Sequence, residues 1–360
     1  VPPEVFPLLA ALLISLAVVL AATPWTIRLA GRMGFYDVPS GYKAHARATP
    51  YLGGLAVLAG VLAVVPLLGA ELSRLVPVLA GLVGLWLIGT LDDRLALGAG
   101  LRVAAEVGTA LLLYTAGFGW SVFGSPTADL ALTVVWVVGV INAYNLMDNM
   151  DGATSSVAAA SALATAVLAL TLGEPALALL AVALCGACLG FLRYNLAHPA
   201  RIFLGDGGSM PIGFLVAALT MALPLGAELG AQHVLAAALV AGMAVLDTTL
   251  VVVSRRRAGV SFLQGGQDHL TYRLRSRLGT PRRVAAALGL AQAALGGAAL
   301  VVLGLGPNAV AVAWALGLAA VASVVILLET PAWAPVRRTY PEHGGNRASS
   351  TSQLLPIEGS

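Results

Sequence analysis

Charge is what this sequence has least of. Only 10% of its 360 residues are Asp, Glu, Lys or Arg, against about 25% in an ordinary soluble domain. Hydrophobic residues make up 59%, and the mean hydropathy is +0.89. Soluble globular, disordered, collagen-like and nucleic-acid-binding classes are thereby excluded for the main body. Cysteine is nearly absent: Cys185 and Cys188 share one apolar run, AVALCGACLG, with no second ligand set. They read as small helix-packing residues, which excludes a disulfide framework and a zinc or redox pair. The opening stretch VPPEVFPLLAALL lacks basic residues, so the first apolar run is expected to stay as an anchor and not be removed as a signal peptide. The apolar runs are continuous rather than alternating, which excludes a β-barrel. No internal repeat is visible, which weighs against an inverted-repeat transporter.

What is abundant is apolar sequence, in runs long enough to cross a ~30 Å hydrocarbon core as helices. Eleven are read, at about 5–23, 52–70, 75–91, 101–118, 130–146, 156–172, 175–192, 211–227, 232–253, 285–304 and 308–328. The expected fold is an all-α polytopic membrane protein: one transmembrane domain over 1–330 and a disordered polar tail over 331–360. An odd number of crossings puts the termini on opposite sides. With the N-terminus outside and the C-terminus cytoplasmic, nineteen of the twenty Lys and Arg residues lie on the cytoplasmic side and only Arg74 lies outside, as the positive-inside rule demands. The net charge of +3 thus sums a very uneven distribution. The longer loops, 24–51, 92–100, 147–155, 193–210 and 254–284, are on the same side, and function is expected there.

Five aspartates gather at that face: Asp92 and Asp93 in GTLDDRLALG, Asp148 and Asp151 in NAYNLMDNMDG, and Asp206 in IFLGDGGSMPIG. Carboxylates near a bilayer cost roughly 2.5–3.5 kcal/mol each at a helix centre on insertion scales, so such clustering points to chemistry. Oxygen ligands without His or Cys partners suit Mg²⁺ or Mn²⁺, which bind one or two carboxylates together with phosphate oxygens. A phosphate-bearing substrate is implied. Asn142, Asn145, Asp148 and Asp151 recur every third residue, so a continuing helix would present them close to one face. The small residues of Gly205–Ser209 would let a phosphate or metal approach backbone N–H groups. Basic candidates are Lys43, His45 and Arg47 in GYKAHARATPYLGG, and the loop SRRRAG…GGQDHLTYRLRSRLGTPRR, with His269 beside Asp268. In that loop Leu270, Leu274 and Leu278 fall four apart among arginines, the pattern of an amphipathic helix on the inner leaflet. Arg102 and Glu106 form an i,i+4 pair at the start of the fourth run.

Together these segments resemble the polyprenyl-phosphate N-acetylhexosamine-1-phosphate transferases. Five motifs occur in family order between about residues 35 and 275: DVPSGYKAHARATPYLGG (37–54), Asp92–Asp93, NAYNLMDNMDG, NLAHPARIFLGDGGSMPIG (195–213), and Asp247 followed by SRRRAG and the histidine loop. The resemblance implies transfer of N-acetylhexosamine-1-phosphate from a UDP-sugar to undecaprenyl or decaprenyl phosphate, releasing UMP, with Mg²⁺ (or Mn²⁺) as cofactor, at a bacterial cell membrane. It implies Asp92, Asp93 and Asp206 as metal ligands, one of which also deprotonates the lipid phosphate. Asn145, Asp148 and Asp151 would lie at the uridine or sugar-phosphate end, with Phe203 stacking near the base. Lys43, His45 and His269 would sit on phosphates or the sugar, and Asn195 and Arg201 count among the substrate-binding residues. A homodimer is a family habit. The sequence departs from the family at Thr271 and Tyr272, where two further histidines are usual, and at Asn149, usually Gly. A run of three histidines followed by Phe-Glu, typical of the phospho-N-acetylmuramoyl-pentapeptide branch, is absent. That favours the N-acetylglucosamine branch, which starts envelope glycans such as O-antigen or teichoic acid. An intramembrane prenyltransferase would explain NLMDNMD but not GDGGS or His269. An ion-coupled transporter would place its ionisable residues near the midplane.

Overall fold

In the computed structural model, residues 5–38, 48–224, 230–261 and 265–333 are described. Lys43, His45 and Arg47 lie outside them, as does most of the tail. The described residues form thirteen α-helices, a short 3₁₀ segment and one two-stranded ribbon. In chain order these are α1 (Val5–Met33), β1 (Tyr36–Asp37), β2 (Thr49–Pro50), α2 (Gly53–Leu62), the 3₁₀ turn Val65–Glu71 and α3 (Leu72–Leu95). Next come α4 (Ala99–Thr115), α5 (Pro126–Met147), α6 (Ala153–Thr171), α7 (Pro175–Asn195) and α8 (Asp206–Met221). The rest are α9 (Gly230–Val240), α10 (Gly242–Ala258), α11 (Leu270–Leu278), α12 (Pro281–Val302) and α13 (Pro307–Leu328). Each of the eleven expected runs contains a helix. Seven helices are long and apolar enough to cross a membrane, or eight when the bent pair α9–α10 is taken as one span. The chain is a multi-pass helical membrane protein. The amphipathic segment forms α11, and its leucines fall on one helix as expected.

Packing is built on small residues. α6 and α7 are the most enclosed spans, 72% and 83% buried, and α13 is the least, at 11%. Alanine-rich α6 lies against α7 and α12, α1 packs on α7, and α8 is held between α3 and α5. Between helices in lipid, close backbone approach and hydrogen bonds replace hydrophobic drive. Accordingly the Ser15 hydroxyl donates to the Ala183 carbonyl at 2.7 Å, the Tyr144 hydroxyl to Ser161 Oγ at 2.9 Å, and Ser161 in turn to the Val240 carbonyl at 2.6 Å. Cys185 and Cys188 are free and buried within α7.

Three departures from the expected runs have local causes. α1 continues to Met33, ten residues past the expected end at 23, through Pro24. A proline within a helix leaves the carbonyl four residues earlier without its donor. Here that carbonyl, of Leu20, accepts from the Tyr194 hydroxyl at 2.8 Å. The run at 52–70 is only a ten-residue α2 followed by the 3₁₀ turn. The run at 232–253 is broken, with α9 and α10 meeting at 77°. Non-helical backbone at membrane depth must be satisfied by protein. The Gln292 amide of α12 does so, donating to the Leu239 and Val240 carbonyls at 3.0 and 2.8 Å and accepting from the Met243 N–H at 3.0 Å.

Tyr194→Phe removes a single oxygen from the Pro24 break. We expect it to lower stability by about 1–3 kcal/mol, the cost of an unsatisfied buried acceptor, read as a lower midpoint of thermal unfolding in detergent.

Candidate active site

The site is built around the first turn of α8. Gly205, with φ of 73°, turns the chain into that helix, and the carboxylate of Asp93 from the end of α3 caps it. Asp93 Oδ1 accepts from the Asp206 N–H at 2.9 Å and Oδ2 from the Gly207 N–H at 3.1 Å. A carboxylate on the free N–H groups of a helix start gains from both hydrogen bonds and the helix dipole. The approach is close enough to require glycine. A Cβ on Gly89 would lie 2.4 Å from the Asp206 carbonyl oxygen, and one on Gly54 would lie 2.2 Å from that of Gly207. The small residues of 205–209 therefore admit neighbouring helices, not an open phosphate cradle as the sequence suggested. Their first two N–H groups are already taken by Asp93.

Asp206, thus fixed, meets residues from two further helices, α4 and α5, and a second carboxylate of α3. Asn145 Nδ2 donates to its Oδ1 at 2.8 Å and to Ser209 Oγ at 3.0 Å. Arg102 of α4 bridges two carboxylates, with Nη1 2.8 Å from Asp92 Oδ2 and 3.1 Å from Asp206 Oδ2. Asp92 is buried, and its second oxygen, Oδ1, has no hydrogen-bond partner among the described residues. An orphaned, buried carboxylate oxygen is costly and is the kind of atom that a hard cation would satisfy. No three His, Cys, Asp or Glu side chains among the described residues form a metal-binding group by themselves. The donor set therefore fits an ion that takes much of its shell from phosphate and water.

Asp148 ends α5 as its C-cap. Burial, and next the charge of Asp206, push its carboxyl up to about 7. Because α5 stops at Met147, the expected three-residue stripe does not continue on one helical face. Asn142 points instead to Glu106 of α4, donating to Oε2 at 2.5 Å. Asp151 lies half-buried in the turn before α6. Asn195 is wholly engaged with backbone, accepting from the Gly152 N–H at 2.6 Å and donating to the Ile202 carbonyl at 3.0 Å. It fastens the 148–152 turn to the 196–205 loop. That loop is stitched to β2 and α2 through Phe203 N–H to the Pro50 carbonyl (2.8 Å), Gly53 N–H to Phe203 (3.1 Å) and Gly54 N–H to Leu204 (3.0 Å). Phe203 is half-buried there, whereas the Arg201 side chain is exposed.

The histidine loop reaches this cluster from the other side. Buried His269 precedes α11, and its Nδ1 lies 2.8 Å from Oδ2 of fully buried Asp247 in α10. The other oxygen of Asp247 accepts from the Leu270 N–H at 2.6 Å. This carboxylate–imidazole contact fixes the ring's orientation. Two residues on, the Thr271 hydroxyl donates to Asn149 Oδ1, and the Tyr272 hydroxyl to the Asn149 carbonyl at 3.3 Å. The three positions that depart from the family pattern thus touch one another, and they join the histidine loop to the Asp148 turn. Arg102 and Asp247 are the principal residues whose roles the sequence did not reveal. Arg102 had one signal, as a rare charge inside an apolar run.

The glycosyl transferase family 4 pattern matches residues 75–224. A "Probable undecaprenyl-phosphate N-acetylglucosaminyl 1-phosphate transferase" of Bacillus subtilis is 31% identical over 274 residues, 73% of this chain and 76% of the relative. The "Decaprenyl-phosphate N-acetylglucosaminephosphotransferase" of Mycolicibacterium smegmatis is 37% identical over 294 residues, covering 70% and 71%. A "Phospho-N-acetylmuramoyl-pentapeptide-transferase" of Geobacillus kaustophilus is 29% identical over 272 residues, covering 68% and 81%. The chain belongs to glycosyl transferase family 4, on its polyprenyl-phosphate N-acetylglucosaminephosphotransferase side.

Asp93→Asn would keep one acceptor but turn an amine toward a backbone N–H. We expect faster amide hydrogen exchange at residues 206–209 and a loss of about 1–3 kcal/mol in stability.

Proposed function

We propose that this protein transfers N-acetylglucosamine-1-phosphate from UDP-N-acetylglucosamine to undecaprenyl or decaprenyl phosphate, giving the polyprenyl-diphospho sugar and UMP. The observation that carries the reading is the meeting of Asp92, Asp206 and Asn145 from three helices around Arg102, in a chain that belongs to this family. The printed activities of the Bacillus and Mycolicibacterium relatives support it. The pentapeptide branch lacks such support from the histidine loop, where His269 is followed by Leu270, Thr271 and Tyr272.

Phosphoryl transfer asks a protein mainly for positioning and charge neutralisation. Attack by a lipid-phosphate oxygen on the sugar-linked phosphorus breaks the bond to the bridging oxygen, which leaves with UMP. Asp92 and Asp206 would hold Mg²⁺; Asp93, expected as a third ligand, has both oxygens on N–H groups of α8 and would instead keep Asp206 in place. The ion would supply charge neutralisation on the diphosphate and a template for its oxygens. Arg102, shared between two carboxylates, would lie close enough to offer its guanidinium to a phosphate oxygen. Asp148 and Asp151 would face the uridine or sugar-phosphate end, with Lys43, His45, Arg201 and Phe203 as further substrate contacts. His269, oriented by Asp247, would donate to the diphosphate as negative charge builds in the transition state. A carboxylate accepting the lipid-phosphate proton helps modestly, because the second pKa of such a phosphate is near 6. The eleven-crossing topology, with N-terminus outside and the site at the cytoplasmic face, belongs to the same proposal, as does a homodimer.

Detergent-purified protein with Mg²⁺, UDP-N-acetylglucosamine and polyprenyl phosphate should release UMP, and EDTA should stop the release. Absence of UMP with every UDP-N-acetylhexosamine tried would sink the reading. Asp92→Asn and Asp206→Asn should each cost on the order of 100-fold or more in turnover with the unfolding midpoint retained; near-normal rates would remove the metal assignment.

A further inference from the structure

The largest fully buried side chain among the described residues is a charged one, Arg273. It sits on α11, one turn after His269, and its guanidinium meets the end of the last helix. Its Nε donates to the Asp268 carbonyl at 3.3 Å. Nη1 donates to the Leu328 carbonyl, and Nη2 donates to Ser254 Oγ at 2.5 Å and to Glu329 Oε1 at 2.7 Å. Glu329 caps α13. It also accepts from the Ser254 hydroxyl and lies 3.6 Å from Arg257. Burial acts to raise its carboxyl, but the bonds from Ser254 and Arg273 and their positive neighbours outweigh that and hold it below the ordinary range. On the other side of the same peptide, buried Arg255 grips the Asp268 carboxylate at 2.8 and 3.2 Å. The residue immediately before His269 is thus pinned by one arginine at its side chain and by another at its carbonyl.

We infer that Glu329 and Arg273 are a positioning pair for His269, through which the end of the last transmembrane helix sets the register of the histidine loop. A buried guanidinium is tolerated only with a counter-charge and filled hydrogen bonds. In this chain Glu329 supplies both from α13, a helix that otherwise faces outward with 11% of its span buried. The Leu328 carbonyl, left open at the helix end, fills another donor. Beyond it Arg277 stacks on Trp333 at 4.8 Å and donates to the Ala332 carbonyl at 2.5 Å. The end of α13 and the residues just after it, 328–333, therefore hold α11 over a full turn on the side opposite its contact with Asn149. Without Glu329, Arg273 must find water, and the Asp268–His269 peptide loses one of its two anchors.

This inference rests on the role proposed above for His269, and the experiment separates the two. UMP release is measured for the full chain in detergent with Mg²⁺, UDP-N-acetylglucosamine and polyprenyl phosphate, with amide hydrogen exchange over 265–278 as the second readout. Glu329→Gln should lower kcat about tenfold with KM for the UDP-sugar changed less than about twofold, the mark of an interaction felt in the transition state. Exchange over 265–278 should quicken while α6 and α7 keep their protection. Added to His269→Gln, it should lower kcat no further, because residues acting as one unit are not additive. Wild-type kcat and exchange in Glu329→Gln, or the same tenfold loss in the His269→Gln background, would overturn the pair's role. Wild-type turnover by His269→Gln alone would remove the reading beneath it and the inference with it. If Glu329→Gln does not accumulate folded, Glu329→Asp carries the same comparison, with an expected loss of about threefold and the same overturning result.

Discussion

The seat of one carboxylate on the start of one helix is the contact on which the site depends. Asp93 accepts the first two N–H groups of α8, and that fixes where Asp206, the first residue of α8, must stand. From there Asn145, Arg102 and Asp92 are bound in turn. Two helices can come this near only without side chains between them, which is why Gly89 and Gly54 sit against the backbone at Asp206–Gly208. The acidic pair of α3 is therefore divided in labour: Asp93 builds the helix start, while buried Asp92 binds Arg102 with one oxygen and has no hydrogen-bond partner for the other among the described residues.

The second half of the site is organised by a different logic. His269 stands at the start of a short basic helix, and the buried polar groups around it are paired: His269 with Asp247, Arg255 of α10 with Asp268, and Arg273 with Glu329. Such pairs add little net stability compared with apolar packing, yet breaking one is expensive. They act as registration devices. The two halves meet at Asn149, whose side chain and carbonyl take Thr271 and Tyr272.

Much of this was legible in the sequence. Apolar runs located helices in all eleven segments, because continuous hydropathy depends on composition alone. The acidic motifs were recognisable because charges in so apolar a chain need a reason. What was not legible depended on partners far away in sequence. No spacing rule says that Tyr194 completes the helix at Pro24, or that Gln292 satisfies the break between α9 and α10. Asn142 and Asn145 share a three-residue period, but one turns to Glu106 and the other to Asp206. The helix ends one residue before Asp148, so the periodic argument applied to a helix that was no longer there. The Gly205–Ser209 segment was read for its openness, whereas its smallness serves helix contact. Asn195, which looked like a ligand, is a fastener for two loops.

The shortness of α8 has its own consequence. Sixteen residues at 1.5 Å each rise about 24 Å, less than the ~30 Å of a hydrocarbon layer. A helix of that length cannot keep both ends in water. At least one end stops below the aqueous boundary unless the bilayer thins around it, and a carboxylate at such an end needs protein in place of solvent. The Asp93 cap, the Asn145 amide and the Arg102 guanidinium provide that replacement. Under the function proposed above, they would let a water-soluble sugar nucleotide and a lipid-borne phosphate meet at one depth.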